Sequence, residues 1–146
     1  MKIEVQIDPS CQEPRILILT DSLSQEISDL MRKLAEEVPP LLSGSRNGKI
    51  EVLREEDLIR VYAASGKVFA VTDRGEYVLH LRLYDLEERL DPHFFVRISH
   101  SEIINLRKVL HFDLSLAGTI CVKLTNEEKT YVSRRYVAKI KKILGI

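Results

Sequence analysis

Residues 94–106 read FFVRISHSEIINL, and residues 131–140 read YVSRRYVAKI. The first stretch places His100 between two serines, beside an apolar run typical of a strand edge. The second places a serine, a preferred helix N-cap residue, directly ahead of Arg134 and Arg135. The two stretches therefore predict a strand that ends in an exposed polar turn and a last helix that begins with two cations.

Length and composition describe an ordinary globular protein. The chain has 146 residues, of which 45% are hydrophobic and 30% are charged, with only five prolines and six glycines. No window approaches the roughly 18 apolar residues of a membrane span, and the first ten residues alternate instead of forming a signal peptide. We therefore expect one domain, or a domain with a small appendage, in the cytoplasm and without membrane insertion.

Residues that could carry catalysis or bind a metal are few. The four histidines lack the three- or four-residue spacing of a helical metal site, and neither a glycine-rich phosphate loop nor a GxSxG motif is present. Cys11 and Cys121 are too few for a disulfide framework or a zinc site, so both are interpreted as structural or incidental. The sequence predicts no enzyme, no metal and no cofactor.

The balanced total charge hides a gradient along the chain. Lys plus Arg and Asp plus Glu are 22 each, but residues 1–46 contain five basic against eight acidic residues. From Arg97 onward there are ten basic against four acidic residues. This basic excess fits a nucleic-acid footprint, although a solvated basic face would produce the same tally.

The N-terminal segment predicts a strand-strand-helix unit. Lys2–Ile7 alternates polar with apolar residues, and Arg15–Leu19 is a short apolar run, which favours two strands. A capping box at Ser22 and Gln25 begins the helix, and Pro39-Pro40 ends it. The apolar residues at helical spacing are Leu23, Ile27, Leu30, Met31, Leu34 and Val38.

The remainder of the chain predicts mostly strands, after a loop at Ser43–Gly48. A short helix with Leu83, Leu86 and Leu90 is closed by Asp91-Pro92, and a last helix lies near Tyr136–Leu144. The predicted strands are Lys49–Leu53, Leu58–Ala63, Val68–Thr72, Tyr77–Leu81, Phe94–Ile98, Val109–Leu114, Thr119–Leu124 and Thr130–Val132. The predicted fold class is mainly β with short helices (α+β).

The two arginines after Ser133 oppose the helix dipole. Cations in the first turn of a helix are unfavourable by about 0.3–1 kcal/mol each, and a nearby anion removes that cost. Backbone N–H groups and two guanidiniums together suit a phosphate, and Arg can also bind a guanine edge through two hydrogen bonds. Alternatively, both arginines are solvated or paired with Glu127 and Glu128 in the preceding turn.

Three stretches of the chain resemble a known family. FVRISHSEIINL followed by YVSRRYVAKI is similar to the signature of LytTR-type bacterial DNA-binding domains, which runs close to FVRIHRSYIVNL and then VSRRY. EEDLIRVYAASGKVFAV, residues 55–71, resembles the opening pattern of the same family. The resemblance covers roughly residues 44–146, so residues 1–43 form an N-terminal extension without the length or acidic pocket of a receiver domain.

The resemblance implies packed small β-sheets whose loops, not a recognition helix, bind DNA. It places His100 and Arg135 at base-reading positions, Ser99 and Ser101 near the DNA backbone, and a third contact at Lys67. The implied DNA-binding residues are Lys67, Arg97, Ser99, His100, Ser101, Ser133, Arg134 and Arg135. Asn105 also matches the motif, but it is interpreted as a turn or structural hydrogen-bonding residue.

Two functions are compatible with these observations. The favoured one is a response-regulator-like transcriptional regulator that binds promoter direct repeats, as a homodimer at least on DNA, with a possible regulatory partner protein. The alternative is a protein-interaction or sensor module that acts through its acidic N-terminal helix without DNA binding. The two differ in where they place the working surface, because a DNA reader needs its basic excess around His100 and Arg135.

Overall fold

The computed structural model describes residues 1–35 and 41–146. Its contacts divide the chain into two compact units, Met1–Pro39 and Pro40–Ile146. The predicted helix end, at Val38 and Pro39-Pro40, lies outside the described residues.

The first unit contains the predicted helix but not the predicted strands. Helix α1 spans Gln25–Ala35, and the Ile27 N–H donates to Ser24 Oγ at 3.3 Å, so Ser24 and not Ser22 caps it. Lys2–Ile7 and Arg15–Leu19 have no strand assignment, so those two strand predictions are wrong. Alternation indicates which side chains could share a face, but a strand forms only when another strand accepts its hydrogen bonds.

The second unit consists of ten strands and two α-helices within its described residues. They are β1 (Ser43–Arg46), β2 (Lys49–Val52), β3 (Arg60–Ala64), β4 (Lys67–Thr72), β5 (Gly75–Leu79), α2 (Leu83–Arg89), β6 (Phe95–Ser99), β7 (Glu102–Asn105), β8 (Val109–Asp113), β9 (Ile120–Leu124), β10 (Lys129–Val132) and α3 (Arg134–Leu144). One antiparallel sheet has the strand order β2-β1-β5-β4-β3-β7-β6, and a second has the order β10-β9-β8. The prediction of a mainly β fold with short helices is confirmed.

The large sheet is covered on both faces. Neighbouring residues of β7 show this, because Ile103 belongs to a core with α2 whereas Ile104 belongs to a core with the small sheet and α3. Both isoleucines are nearly fully buried. Because successive side chains of a strand point to opposite faces, both faces of the sheet must be covered at this point. Ile140 of α3 is fully buried in the second core, which fixes the last helix beside β6.

Two segments differ from the prediction. Ser43–Arg46 forms β1 and pairs with β2, whereas its Gly and Ser content favoured a loop. Glu102–Asn105 forms β7, a strand that the sequence did not indicate, because two adjacent isoleucines buried on opposite faces produce no alternation. With these two strands the large sheet has seven strands, which is more than the small sheets that the resemblance implied.

Candidate nucleic-acid interface

The first predicted contact region is the tight turn between β3 and β4. Ser65 and Gly66 have φ angles of 52° and 76°, and positive φ at both central residues defines a type I′ hairpin turn. Ala64 pairs with Lys67 across this turn. Lys67 is exposed at the start of β4, so its ammonium group is available to a ligand at the hairpin tip.

The second region is the turn between β6 and β7. Ser99 pairs with Glu102, which leaves His100 and Ser101 as the exposed tip. The Ser101 N–H donates to Ser99 Oγ at 3.2 Å, so the first serine shapes the turn. The strand pairing shifts between Arg97 and Ser99, and such a bulge redirects the side chains beyond it.

These two turns lie at the same end of the large sheet. Strands β3 and β7 are antiparallel neighbours, with Tyr62 opposite Glu102. The Ala63 N–H donates to the Ser101 carbonyl at 2.8 Å, so the end of β3 meets the tip of the β6–β7 turn directly. Lys67 and His100 are therefore carried by adjacent hairpin tips.

The start of α3 joins the same region. The Ser133 N–H donates to the Ile98 carbonyl at 2.9 Å, one residue before the β6–β7 turn begins. Ser133 occupies the N-cap position with extended backbone, but its side chain makes no capping hydrogen bond. Ser133 is thus the N-cap by position only, and its hydroxyl does not satisfy the N–H groups of the first turn.

The two arginines that begin α3 are exposed, and the acids proposed as their partners are engaged elsewhere. Glu127 pairs with Lys123 at 3.1 Å, and Glu128 pairs with Arg60 at 2.8 Å. No ion pair of the described residues includes either of the two arginines. The interpretation that they are neutralised by the preceding turn is wrong, because other cations already occupy those carboxylates.

Arg97 occupies a different environment from the other predicted contacts. Its side chain is only 13% exposed, and its guanidinium donates to Glu87 Oε2 at 2.6 Å. It also donates to the carbonyls of Ser99, at 3.1 Å, and His100. These bonds hold the backbone of the β6–β7 turn, so Arg97 shapes the turn that presents His100.

Sequence reasoning missed the ion cluster behind this region. Arg60 bonds Glu128 at 2.8 Å and Glu102 at 3.3 Å, with its own side chain 19% exposed. Burial raises the pKa of Glu102 above its usual range, against the opposing effect of Arg60. Because Arg60 is on β3, Glu102 on β7 and Glu128 just before β10, one guanidinium links the segments that lead to all three regions. These partners are 42 and 68 residues from Arg60, so no local signal indicates them.

Asn105 has the structural role that the sequence predicted. It is fully buried, its Nδ2 donates to the Leu58 carbonyl at 2.8 Å, and its Oδ1 accepts from the Arg107 N–H at 3.0 Å. The side chain therefore satisfies one backbone group just before β3 and one just after β7.

Residues 1–35 and 41–146 contain no group of three or more His, Cys, Asp or Glu side chains able to hold a metal ion. Within those ranges, no helix combines the length and the apolar character needed to cross a bilayer.

The chain is similar to known proteins in sequence and in fold. Residues 48–145 match the family model of the LytTr DNA-binding domain. Two Staphylococcus aureus relatives, both described as uncharacterized HTH-type transcriptional regulators, are 31% (strain NCTC 8325) and 30% (strain MRSA252) identical to the chain. Each alignment covers 100% of this chain and 99% of the relative. A solved LytTr DNA-binding domain from Bacillus cereus superimposes with a TM-score of 0.70 at 18% identity, over 73% of this chain and 97% of that one.

Proposed function

Because the chain belongs to the LytTR family of DNA-binding domains, we propose that it is a bacterial transcriptional regulator that reads promoter DNA with turns. The observation that carries the proposal is the convergence of the β3–β4 turn, the β6–β7 turn and the start of α3 at one end of the large sheet. Strands separate each described helix from the next, so this region offers loops and a helix start instead of a helix-turn-helix. The curated relatives are named as transcriptional regulators, which supports the same conclusion.

The residues of this region have distinct roles in the proposal. Arg135 and His100 reach base edges, because both are exposed at the tips of the converging segments. Lys67 and Arg134 contact phosphates, and the backbone N–H groups after Ser133 add donors at the positive end of α3. Ser99, Ser101 and Ser133 lie close to the DNA backbone. Arg97 acts through the turn, since its guanidinium is already bonded to two turn carbonyls and to Glu87.

Two protomers bind together on direct repeats in this proposal. One small domain buries too little DNA surface for tight specific binding alone, and a pair doubles that surface. DNA contact belongs to residues 44–146, and residues 1–43 remain outside it because they contain more acidic than basic residues. In this proposal the regulator acts in the cytoplasm without catalysis, and the N-terminal extension or a partner protein can carry its signal.

DNA binding is expected to depend strongly on salt. With about two phosphates neutralised per protomer, by Lys67 and Arg134, log K should fall with log salt at a slope of about −1.8. Between about 50 and 200 mM salt, affinity for one half-site should therefore drop roughly 12-fold. Fluorescence anisotropy on a duplex selected from random sequences measures this slope. Affinity that does not change over this range would exclude DNA as the ligand.

Replacement of Arg97 distinguishes support of the turn from contact with phosphate. Arg97→Ala should weaken specific binding about tenfold, because charge-assisted hydrogen bonds to the turn are lost, with no change in the salt slope. Lys67→Ala, the matched control at an exposed tip, should reduce the slope by about 0.9. A slope reduced equally by Arg97→Ala would restore Arg97 as a direct phosphate contact. Glu87→Gln, which keeps the bonds from Arg97 to the turn, should retain most of the affinity.

A further inference from the structure

The N-terminal unit presents an apolar surface that nothing within residues 1–35 covers. Helix α1 has no buried residue, although one of its faces is apolar along its whole length. Ten large apolar side chains of residues 1–35, Met1 included, are 49–89% exposed. Exposed apolar side chains in this number mark an interaction site.

This surface has the shape of a groove. Residues 14–23 and helix α1 line an open cavity of about 610 Å³. Ile16 and Leu17 belong to one wall, and Ile27, Met31 and Leu34 belong to the helical wall. An amphipathic helix is the usual occupant of an apolar groove, and here one wall is itself such a helix.

We infer that a second copy of this chain covers the groove, with α1 of each protomer packed against the other copy. Helix and groove belong to the same surface, so two copies related by a twofold axis satisfy each other. At about 100 Å² for each fully exposed side chain, the ten apolar residues offer about 700–800 Å². A stable interface needs about 800 Å² from each partner, so the available area matches a dimer.

The polar side of α1 argues against a membrane as the occupant. Glu26 and Asp29 near its start are balanced by Arg32 and Lys33 in its last turn, which leaves this side without net charge. Interfacial helices instead carry a basic side that anionic lipids attract. Residues 1–46 as a whole are more acidic than basic, which also repels such a surface.

The alignments with the relatives indicate that they share the N-terminal unit as well as the DNA-binding domain. The family match begins at residue 48, yet the Staphylococcus aureus relatives align with 100% of the chain. A second copy also explains the strand-like pattern of Lys2–Ile7 and Arg15–Leu19, which form no strand in one copy. In a dimer these segments gain neighbours that can accept their hydrogen bonds.

Sedimentation equilibrium of the full chain without DNA tests the inference. The unaltered chain should be dimeric at micromolar concentration. Met31→Glu and Leu17→Glu, one on each wall, should each raise the dimer dissociation constant at least tenfold, because a carboxylate is buried in an apolar contact. Gln25→Glu adds the same charge on the opposite side of α1 and should leave the constant unchanged.

Three results would overturn the inference. One is a monomeric chain up to submillimolar concentration; another is equal association of Met31→Glu, Leu17→Glu and Gln25→Glu. The third is a monomer in which hydrogen exchange shows α1 protected, which would assign the groove to the chain's own DNA-binding unit. A circular-dichroism spectrum and melting transition like those of the unaltered chain confirm that a monomeric Met31→Glu variant is folded. The inference does not rest on DNA binding, so a dimer that does not bind DNA would refute only the proposed function.

Discussion

Replacement of Arg135 by alanine is expected to weaken binding to a selected operator by about 1–3 kcal/mol, or roughly 5- to 150-fold. Arg135 is exposed in the first turn of α3, and the nearby Glu127 and Glu128 are paired with other cations. Its guanidinium is therefore available for two hydrogen bonds to a base edge. Titration against the operator and its single-base variants should show preference lost at one position only.

Two further variants separate base reading from charge. Arg135→Lys keeps the positive charge but not the planar fork, so it should lose sequence preference and keep the salt slope. Arg134→Ala should weaken all sequences about equally, because a side chain that contacts only phosphate carries no sequence information. If both Arg134→Ala and Arg135→Ala weakened all sequences equally, neither of the two arginines would read a base.

His100→Ala should also reduce specificity without unfolding the protein, since His100 is exposed at the tip of the β6–β7 turn. If both Arg135→Ala and His100→Ala bound the operator with unaltered affinity at physiological salt, the assignment of this region to DNA reading would be abandoned. A sharply lowered melting temperature in either variant would instead favour a structural role for that side chain.

The elements that could be predicted are those defined by local signals. The turn at Ser65-Gly66 follows an alternating strand, and the structure forms a hairpin there. Helix α2 follows from leucines at helical spacing and a closing Asp91-Pro92. In each case the residues that decide the structure lie within about one turn or one strand of each other.

Strand β1 could not be predicted because the residues that pack against it are distant in sequence. Gly44 looks like a loop residue, yet a Cβ at this position would lie 2.6 Å from Tyr77 Cβ and 2.9 Å from Leu53 Cδ1. Glycine is thus present because a buried tyrosine of β5 packs against the backbone of β1. The error at the N-terminus is the reverse: Lys2–Ile7 has a strand pattern but no strand partner within residues 1–35 and 41–146.

The individual side chains of the candidate site could be proposed from sequence, but not their arrangement. The hydrogen bonds from Ala63 to Ser101 and from Ser133 to Ile98 bring the three regions together, and both depend on pairing across the folded unit. For the same reason, the bonds from Arg97 to the β6–β7 turn and to Glu87 could not be predicted. Its partner Glu87 is on α2, a helix that local sequence does not place beside the turn.

Asn105→Ala is expected to destabilise the protein by about 2–4 kcal/mol, because it leaves the buried Leu58 carbonyl and the Arg107 N–H without their partner. The melting temperature should fall by roughly 5–15 °C in calorimetry or thermal circular dichroism. Asn126→Ala is the matched control, since the half-buried Asn126 side chain accepts one turn hydrogen bond, from the Glu128 N–H, and its loss should cost less than about 1 kcal/mol. An Asn105→Ala variant that melted normally but no longer recognised the operator would instead identify Asn105 as a DNA contact. A large loss of stability with operator binding retained below the transition would establish that this asparagine of the family motif holds β7 against the segment that precedes β3.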